Sequence, residues 1–453
     1  MKLFFLVCAL VFQVNAFAQK VVAEIAVGNA ELDKDKFVID DAELRSLGGP
    51  QKSLSNELID ILRNDFVFYK HKFNNVDYSD KGQESYSRPN LAKWKESGIS
   101  YFLASQISAA GNGIEAKFKV WSILTNKVIY SQSFQIEQKN IRPKAHQIAD
   151  GIYRAIVGKP SIFNSKIVLI SDRGTLGKDT VKELFIMDFD GNRVEKLTNF
   201  NSVVLSPSVA PDNSKIMFSV IATHKEVSRN KVRNIKNIDL KMYDLKTRAI
   251  STISDKPGIN SGAIFGSSGE MVYMTLSYKG NADIYEMSLT SGKTRNITSH
   301  YSDDVDPSIT RDGSLMTFLS NRPGHAHIYT IDPSHPDKGV KRISFVGQFN
   351  AAPRFSPDGK EIVFSSWVDA GFDLYRIAAD GNNLVRLTKD FGSNEEAVYS
   401  PDGEFIVFTS KRVISRTKAV QDVYIMNRDG EILGQLTQNF GRCYSPQWTN
   451  VLN

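Results

Sequence analysis

The stretch from Ala351 to Thr388, AAPRFSPDGKEIVFSSWVDAGFDLYRIAADGNNLVRLT, decides the fold of this chain. It predicts four short strands, because aromatic and β-branched residues alternate between turns marked by Pro-Asp-Gly or Asp-Gly. The unit recurs through the last two-thirds of the chain. The positions equivalent to Gly359 are spaced by 56, 44, 46 and 44 residues, and run Asn213, Gly269, Gly313, Gly359, Gly403. A four-stranded unit repeated every ~40–45 residues is typical of β-propeller blades.

The two ends of the array give the number of blades. It opens with only the second half of a unit, SKIVLIS at 165–171 followed by ELFIMDFDGN, and it closes with only a first half, CYSPQWTN. The last strand therefore supplies the inner strand that the first blade lacks, and this closure removes an open sheet edge. We predict an all-β, six-bladed β-propeller over residues 161–453, closed by one blade shared between its two ends.

The region before the repeats mixes helices with strands. Apolar side chains spaced three and four apart predict helices at Ser53 to Asp65 and at Pro143 to Val157, and a shorter helix at Leu91 to Gly98. Strand patterns occupy the residues between the last two helices. We predict an α+β domain over residues 19–160 that begins with a flexible arm. Its sequence offers no phosphate-binding loop, no metal-ligand cluster and no nucleophile beside a base.

Residues 1–18 have the form of a secretory signal peptide, with Lys2, an apolar core and the small-x-small site Ala16-Phe17-Ala18. One alternative is an uncleaved membrane anchor, but the apolar run is shorter than the ~20 residues that a spanning helix needs. The other is a lipoprotein with Cys8 as the acceptor, but Cys8 lies inside the apolar run and not at its end. Cleavage leaves Cys443 as the single cysteine and excludes an internal disulfide. The net charge of +6 is too small and too dispersed to indicate nucleic-acid binding.

The repeat S-P-D-G-x-x-I-x-F-x-S followed by D-x-Y, D-G and L-T, the count of six, the leader and the preceding α+β domain together resemble the TolB family. These are periplasmic propeller proteins of the Tol–Pal envelope system in Gram-negative bacteria. The resemblance covers nearly the whole mature chain. It implies a monomeric, non-enzymatic scaffold without cofactor or metal, which maintains outer-membrane integrity and supports envelope constriction in cell division.

The resemblance also implies two partners, and other envelope proteins could join them. The lipoprotein Pal would bind at one mouth of the propeller, TolA would be engaged by the N-terminal arm, and membrane association would be through these partners. Blade order places the interblade connections on one face, and the family's Pal contacts fall in them. We nominate Asn260, Ser261, Asp304, Val305, Asn350, Ala351, Asn394, Glu395 and Arg442. The alternative is that these residues are solvated loop ends.

The arm that would engage TolA is the extended, β-prone segment Val21, Val22, Ala23, Glu24, Ile25, Ala26 and Val27, which could pair with a partner's sheet edge. It could equally be an edge strand of the first domain. An insertion in the second blade, Ile221 to Asp239, carries six basic or imidazole side chains. It could steer an acidic partner, or it could be a mobile, solvated loop.

Other functions are kept as alternatives. A propeller hydrolase needs a nucleophile elbow, and the chain has no Gly-x-Ser-x-Gly pentapeptide. His325 and His327 lack a third metal ligand in the sequence. A peptidoglycan- or carbohydrate-binding propeller would expose aromatic side chains at its mouth, where the connections contain only Tyr301 and Phe349. Such a binding protein is the main alternative to a Tol–Pal scaffold.

Overall fold

The structure is a computed structural model, and it describes residues 34–76, 84–175, 180–228, 231–416 and 418–451. The predicted leader and the predicted arm, Val21 to Val27, lie outside the described residues. Within the described ranges, no helix is long and apolar enough to cross a membrane.

The N-terminal unit, residues 34–160 as far as they are described, is a mixed sheet covered by helices. The strand order is β3-β1-β4-β5-β6, with β2 also paired to β4. The strands are β1 (Asp35–Ile39), β2 (Glu43–Arg45), β3 (Phe73–Asn75), β4 (Tyr101–Ala110), β5 (Gly113–Ser122) and β6 (Lys127–Ile136), and the helices are α1 (Gly49–Phe68), α2 (Leu91–Glu96) and α3 (Ile141–Val157). This confirms the three predicted helices. Gly158, at φ 78°, ends α3 in the left-handed conformation that glycine adopts without strain.

Six four-stranded antiparallel sheets form the propeller, as predicted. Blade I joins the two ends of the array, because β30 pairs with β7. From the innermost strand outward, blade I contains β30 (Cys443–Trp448), β7 (Lys166–Ser171), β8 (Glu183–Asp188) and β9 (Glu195–Lys196), and blade II contains β10 (Val204–Val209), β11 (Lys215–Ser228), β12 (Lys231–Asp244) and β13 (Ile250–Ser254). Blade III contains β14 (Asn260–Phe265), β15 (Met271–Leu276), β16 (Asp283–Ser288) and β17 (Thr294–Asn296), and blade IV contains β18 (Asp304–Ile309), β19 (Met316–Ser320), β20 (His327–Ile331) and β21 (Lys341–Arg342). Blade V contains β22 (Asn350–Phe355), β23 (Glu361–Val368), β24 (Gly371–Ala378) and β25 (Val385–Arg386), and blade VI contains β26 (Ser393–Tyr399), β27 (Phe405–Ser415), β28 (Lys418–Asn427) and β29 (Ile432–Gln435).

The Ser or Thr that closes each repeat has a structural role. In blade V, Thr388 accepts a hydrogen bond from the backbone N–H of Leu374 at 2.9 Å and donates to Asp373 at 2.9 Å. Blade VI repeats the arrangement with Thr437 and Asp422. The threonine hydroxyl therefore ties the end of the repeat to the third strand of its blade and gives a buried carboxylate a hydrogen-bond partner. This role explains why a Ser or Thr recurs at the end of each repeat.

The N-terminal unit packs on the face of the propeller that carries the Asp-Gly turns, which we call the turn face. Tyr69, directly after α1, is fully buried there. Its hydroxyl donates to Asp402 in the blade VI turn at 2.6 Å and accepts from the backbone N–H of Ile162 at 2.9 Å. Its ring packs against Tyr153 and Phe405, with centroids 4.4 and 4.9 Å away. Both units thus share one core.

Charged side chains frame this contact. Glu404, two residues beyond the Asp402 turn position, accepts from Lys72 at 2.8 Å and contacts His71 at 3.2 Å. The hydrogen bond from His71, with that from Lys72, lowers the pKa of Glu404 to about 2. Lys70 pairs with Glu431 at 2.7 Å, and Arg142 of α3 pairs with Asp190 of blade I. All these contacts of the described part of the N-terminal unit lie on the turn face, and we call the opposite face of the propeller the mouth face.

In the insertion of blade II the described residues form strands and not a loop, which corrects that part of the expectation, and most of them are exposed. Residues 221–228 and 231–238 extend β11 and β12 into a two-stranded ribbon in continuous register. Blade VI carries a shorter ribbon of the same kind, which the sequence pattern did not predict. Cross-strand backbone hydrogen bonds hold both extensions as strands.

Candidate interaction surface

The mouth face is formed by the interblade connections together with the connections between the second and third strands of each blade. Asn237 lies in β12, the third strand of blade II, and links these two sets of connections. Its side-chain NH₂ donates to the carbonyl of Lys256 at 3.1 Å, and its side-chain oxygen accepts from the backbone N–H of Gly258 at 2.7 Å. These bonds fix the connection between blades II and III. This part of the mouth is therefore held by side-chain hydrogen bonds to backbone groups.

A polar channel runs along the axis behind the mouth, with a cavity of about 300 Å³. Each innermost strand contributes a residue with positive φ to its wall, and these are Ser206, Gly262, Asp306, Ala352, Glu396 and Ser445. This ring of residues was not predicted from the sequence. The first five members stand seven residues before the turn position equivalent to Gly359, and that fixed spacing could have revealed them. A β-bulge in every innermost strand produces the conformation.

Charged groups in the channel satisfy one another. Arg354 donates to Asp306 at 2.8 Å, and the backbone N–H and hydroxyl of Ser445 both donate to Glu396 at 2.6 Å. Arg354 compensates the charge of Asp306, whereas Glu396 accepts from a neutral serine, so these groups leave the channel wall polar with one net negative charge.

Four of the nominated residues are not exposed at the mouth, which corrects our expectation. Asn260, Asp304, Asn350 and Asn394 are 0–1% exposed. Asn260 shows why: its amide donates to the carbonyls of Ile238 and Lys256 at 2.8 and 2.7 Å, and its oxygen accepts from Ser254 at 2.6 Å. Asn260, the first residue of β14, therefore staples blade III to blade II.

The other buried members make similar contacts. Asp304 forms an ion pair with Arg322 at 2.7 Å, and burial raises its pKa although Arg322 opposes the shift. Asn350 accepts from Ser344 and donates to Ser366 at 2.9 Å. His327, one of the two histidines considered as a metal ligand, lies 3.2 Å from Asn350 and belongs to the same buried network.

Five nominated residues remain at or near the surface of the mouth. Ser261 and Val305 line the channel, while Ala351 and Glu395 are half-buried beside it. Burial, with the neighbouring carboxylate of Glu396, raises the pKa of Glu395. Arg442 is exposed and pairs with Asp172 across the shared blade at 2.6 Å. A role of these side chains in binding stays a prediction.

Aromatic side chains form part of the mouth rim in blades IV and V. Tyr301 is 84% exposed, and Phe345 is also exposed. Phe349 stacks on Trp367 with centroids 5.6 Å apart, and Phe372 meets both rings edge-on at 5.3 and 5.2 Å. Tyr301 and Phe349 were noted from the sequence, whereas Phe345, Trp367 and Phe372 were not. Trp367 and Phe372 lie in a hairpin connection, which only the fold brings beside Phe349.

A separate cluster lies between the N-terminal unit and blade I, on the turn face. His146 Nδ1 is 2.9 Å from Asp65, and its Nε2 is 3.8 Å from Asp190. Burial raises the pKa of Asp65 to about 6, and the hydrogen bond with His146 opposes that shift. Arg142 pairs with Asp190. The sequence gave no sign of this cluster, because its members come from α1, α3 and blade I.

Comparison with known proteins now decides the family. A family model described as the TolB beta propeller domain matches residues 153–352 and 337–416, more than half of the chain. The chain belongs to the TolB β-propeller family. Its TolB-type propeller is confirmed by the fold of a solved relative: the crystal structure of TolB from Acinetobacter baumannii superposes with a TM-score of 0.74 and 23% identity, covering 92% of this chain and 97% of that one.

Curated TolB relatives agree with this assignment. The protein TolB homolog of Chlorobium luteolum is 27% identical over 243 residues, which is 54% of this chain and 51% of the relative. The Tol-Pal system protein TolB of Rickettsia rickettsii is 26% identical over 287 residues, 62% of this chain and 60% of the relative. The chain thus spans about half to three-fifths of the length of the curated TolB relatives that it matches.

Proposed function

We propose that this TolB-family chain is a non-enzymatic interaction protein of a Tol–Pal system in the periplasm. The propeller mouth binds the lipoprotein Pal, and the arm Val21 to Val27 engages TolA. Through these two contacts it supports outer-membrane integrity and constriction during division. The proposed division of the chain is a leader at 1–18, an arm-bearing domain at 19–160 and the propeller at 161–453.

The observation that carries the proposal is a mouth face that lies opposite the contacts made by the described N-terminal residues. All the contacts of the N-terminal unit described above are on the turn face, centred on Tyr69 and Asp402. The mouth keeps exposed aromatic side chains, Tyr301 and Phe345, beside small polar groups such as Ser261. Rigid aromatic anchors surrounded by polar groups are typical of protein-binding hot spots, because they bury area at little cost in entropy.

The buried staples change how the site should be tested. Replacing Asn260 or Asp304 would disturb the packing between blades, so a loss of binding would not separate contact from folding. Exposed mouth residues avoid this problem. A double variant, Tyr301→Ala with Phe345→Ala, removes two rim aromatics, and Lys293→Ala with Lys360→Ala on the turn face is its matched control.

The test is calorimetric titration of soluble Pal into the chain that begins at Gln19. We expect binding by the parent and the control, and a loss of about 2 kcal/mol or more in the aromatic variant, the scale of hot-spot residues. Equal binding by all three would move the site away from the rim of blades IV and V. An absence of binding by the parent would overturn the proposal.

A second candidate is a peptidoglycan- or carbohydrate-binding propeller, and the aromatic rim is the observation that favours it. Trp367, stacked on Phe349, offers the flat apolar surface on which sugar rings pack. Titration with soluble muropeptides separates the two functions. Saturable muropeptide binding that Trp367→Ala abolishes, without any binding of Pal, would favour the second candidate.

A further inference from the structure

Two blades extend beyond the propeller body on the mouth face. In blade II the pairing of β11 with β12 continues for eight residue pairs past the level at which blade III turns. We call residues 221–238 ribbon II, of which the structure describes 221–228 and 231–238. In blade VI the pairing of β27 with β28 continues for five residues of β27. We call residues 411–421 ribbon VI, of which the structure describes 411–416 and 418–421. At about 3.4 Å per residue, the ribbons reach roughly 27 and roughly 17 Å beyond the blades.

The ribbons hold the positive charge of the chain. In sequence, ribbon II has five basic residues and one acidic residue, and ribbon VI has four basic residues and no acidic one. Their combined formal charge is +8, whereas the whole chain carries +6, so the rest of the chain carries −2. A charge concentrated in two projections on one face indicates an anionic binding partner.

Exposed aliphatic side chains accompany these basic residues. Val232 is 63% exposed in ribbon II, and Val413 and Ile414 are 77% and 59% exposed in ribbon VI. Each ribbon has two strands that continue past the body of its blade, and among the described residues these three side chains stay exposed. Leaving branched aliphatic side chains in water forgoes the free energy of burying them, which an apolar environment would restore.

Strand pairing places the exposed aliphatic side chains of the ribbons beside basic ones. In ribbon II successive residues of a strand point to opposite faces, so Val232 and Lys236 share one face and Arg233 points to the other. In ribbon VI a register shift between Val413 and Ser415 interrupts this alternation at Ile414. Both ribbons therefore offer exposed aliphatic and basic side chains together, a combination that suits an anionic membrane surface.

The two ribbons also resemble each other in sequence. Residues 227–232 and 414–419 both follow the order aliphatic, Ser, Arg, Asn or Thr, Lys, aliphatic, as VSRNKV and ISRTKA. The corresponding connections of blades III and IV, SYKGNA and NRPGHA, lack this order. Two ribbons of like sequence on the mouth face, on either side of blade I, fit a uniform surface that both ribbons meet.

We propose that ribbons II and VI dock the mouth face on an anionic lipid bilayer. The exposed aliphatic side chains enter the boundary between headgroups and acyl chains, and the flanking lysines and arginines pair with phosphate groups. The propeller mouth is thereby held against the membrane surface. This inference is independent of the protein partner proposed above.

The test is sedimentation of the chain that begins at Gln19 with vesicles of phosphatidylglycerol mixed with phosphatidylcholine, beside vesicles of pure phosphatidylcholine. One variant removes four ribbon charges and is written R233Q/K236Q/R416Q/K418Q. Its matched control removes four exposed charges on the turn face and is written K246Q/K293Q/K338Q/K360Q. A third variant, V413S/I414S, removes the aliphatic side chains of ribbon VI and keeps its charge.

We expect binding of the parent to the anionic vesicles, weakened by salt and absent from pure phosphatidylcholine. Each basic side chain near an anionic surface strengthens partitioning about fivefold, so the ribbon charge variant should lose at least about tenfold while the control keeps parental binding. The aliphatic variant should also bind more weakly. All three variants lie in exposed positions, and unchanged circular dichroism checks their folding.

Three outcomes would overturn the proposal: no binding of the parent to anionic vesicles, equal binding by the parent and the ribbon charge variant, or an equal loss in the control. If the ribbon charge variant weakens binding of soluble Pal while no chain binds vesicles, the ribbons serve an acidic protein instead. Because the vesicles contain no protein, failure here leaves the titration with Pal to be decided separately.

Discussion

Replacing Tyr69 with Phe tests the contact between the N-terminal unit and the turn face of the propeller. The change keeps the ring packing against Tyr153 and Phe405 and removes only the hydroxyl. That hydroxyl donates to Asp402 at 2.6 Å and accepts from the N–H of Ile162 at 2.9 Å. A hydrogen bond to a charged group contributes about 1.5–3 kcal/mol and a neutral one about 1 kcal/mol, so we expect the free energy of unfolding to fall by about 3 kcal/mol.

The pH dependence of this loss follows from Asp402. Burial raises its pKa, and the Tyr69 hydroxyl is one of the groups that oppose the shift. Without that donor the pKa rises further. A carboxyl with a raised pKa in the folded state favours folding at low pH and loses that contribution as pH rises. The difference between parent and Tyr69→Phe should therefore narrow in acid and widen towards neutral pH.

The assay is urea unfolding followed by circular dichroism at several pH values. The matched control is Tyr399→Phe, since Tyr399 is also buried but its hydroxyl is 3.4 Å from Glu361, too far for a strong hydrogen bond. We expect a loss under about 1 kcal/mol for this control. A loss for Tyr69→Phe no larger than that of the control would refute the role given to the Tyr69 hydroxyl.

Three further predictions concern the buried clusters and the arm. Asp65→Asn removes a carboxyl whose pKa is raised to about 6 by burial. The free energy of unfolding of the parent, relative to this variant, should therefore fall by on the order of 2 kcal/mol as pH rises from about 4 to about 6. Urea titrations at several pH values measure this difference, and a difference that does not change with pH would contradict the prediction. Asn260→Ala removes the side-chain partner of the Ile238 carbonyl and of the Ser254 hydroxyl, while the Lys256 carbonyl keeps its hydrogen bond from Asn237. The midpoint of unfolding should drop by the equivalent of about 2 kcal/mol, and an unchanged midpoint would show that the staple is dispensable. Deleting residues 19–32 should change the affinity for soluble Pal if arm and mouth are coupled through the interface between the two units, whereas an unchanged affinity in calorimetry would show that they act independently.

Most of the fold follows from the repeat. The turn that contains Gly359 and the closing residue Thr388 mark the two ends of a blade, and both depend on hydrogen bonds within about thirty residues of sequence. The shared blade was also predictable, because the half unit ending in Trp448 complements the half unit beginning near Ser165. Local sequence is sufficient where the contacts that fix an element are local.

The site was less predictable because it depends on side-chain direction and on distant contacts. Asn260 lies at the edge of a polar connection, and the sequence does not reveal that its amide turns inward to the carbonyl of Ile238. Tyr69 and Asp402 are 333 residues apart, so nothing in either segment indicates that they meet. The ribbon in blade II was recognised only as an insertion, since a two-stranded ribbon without a core has no apolar face to give a period.

Hydrogen exchange of the chain with and without soluble Pal tests the central claim, that the partner binds the mouth face, most directly. With Pal bound, we predict slower exchange in the connections at 255–261, 299–306 and 344–351. Exchange in the Asp-Gly turns at 311–314 and 357–360, on the turn face, should be unchanged. Protection confined to those turns or to the N-terminal unit would contradict it.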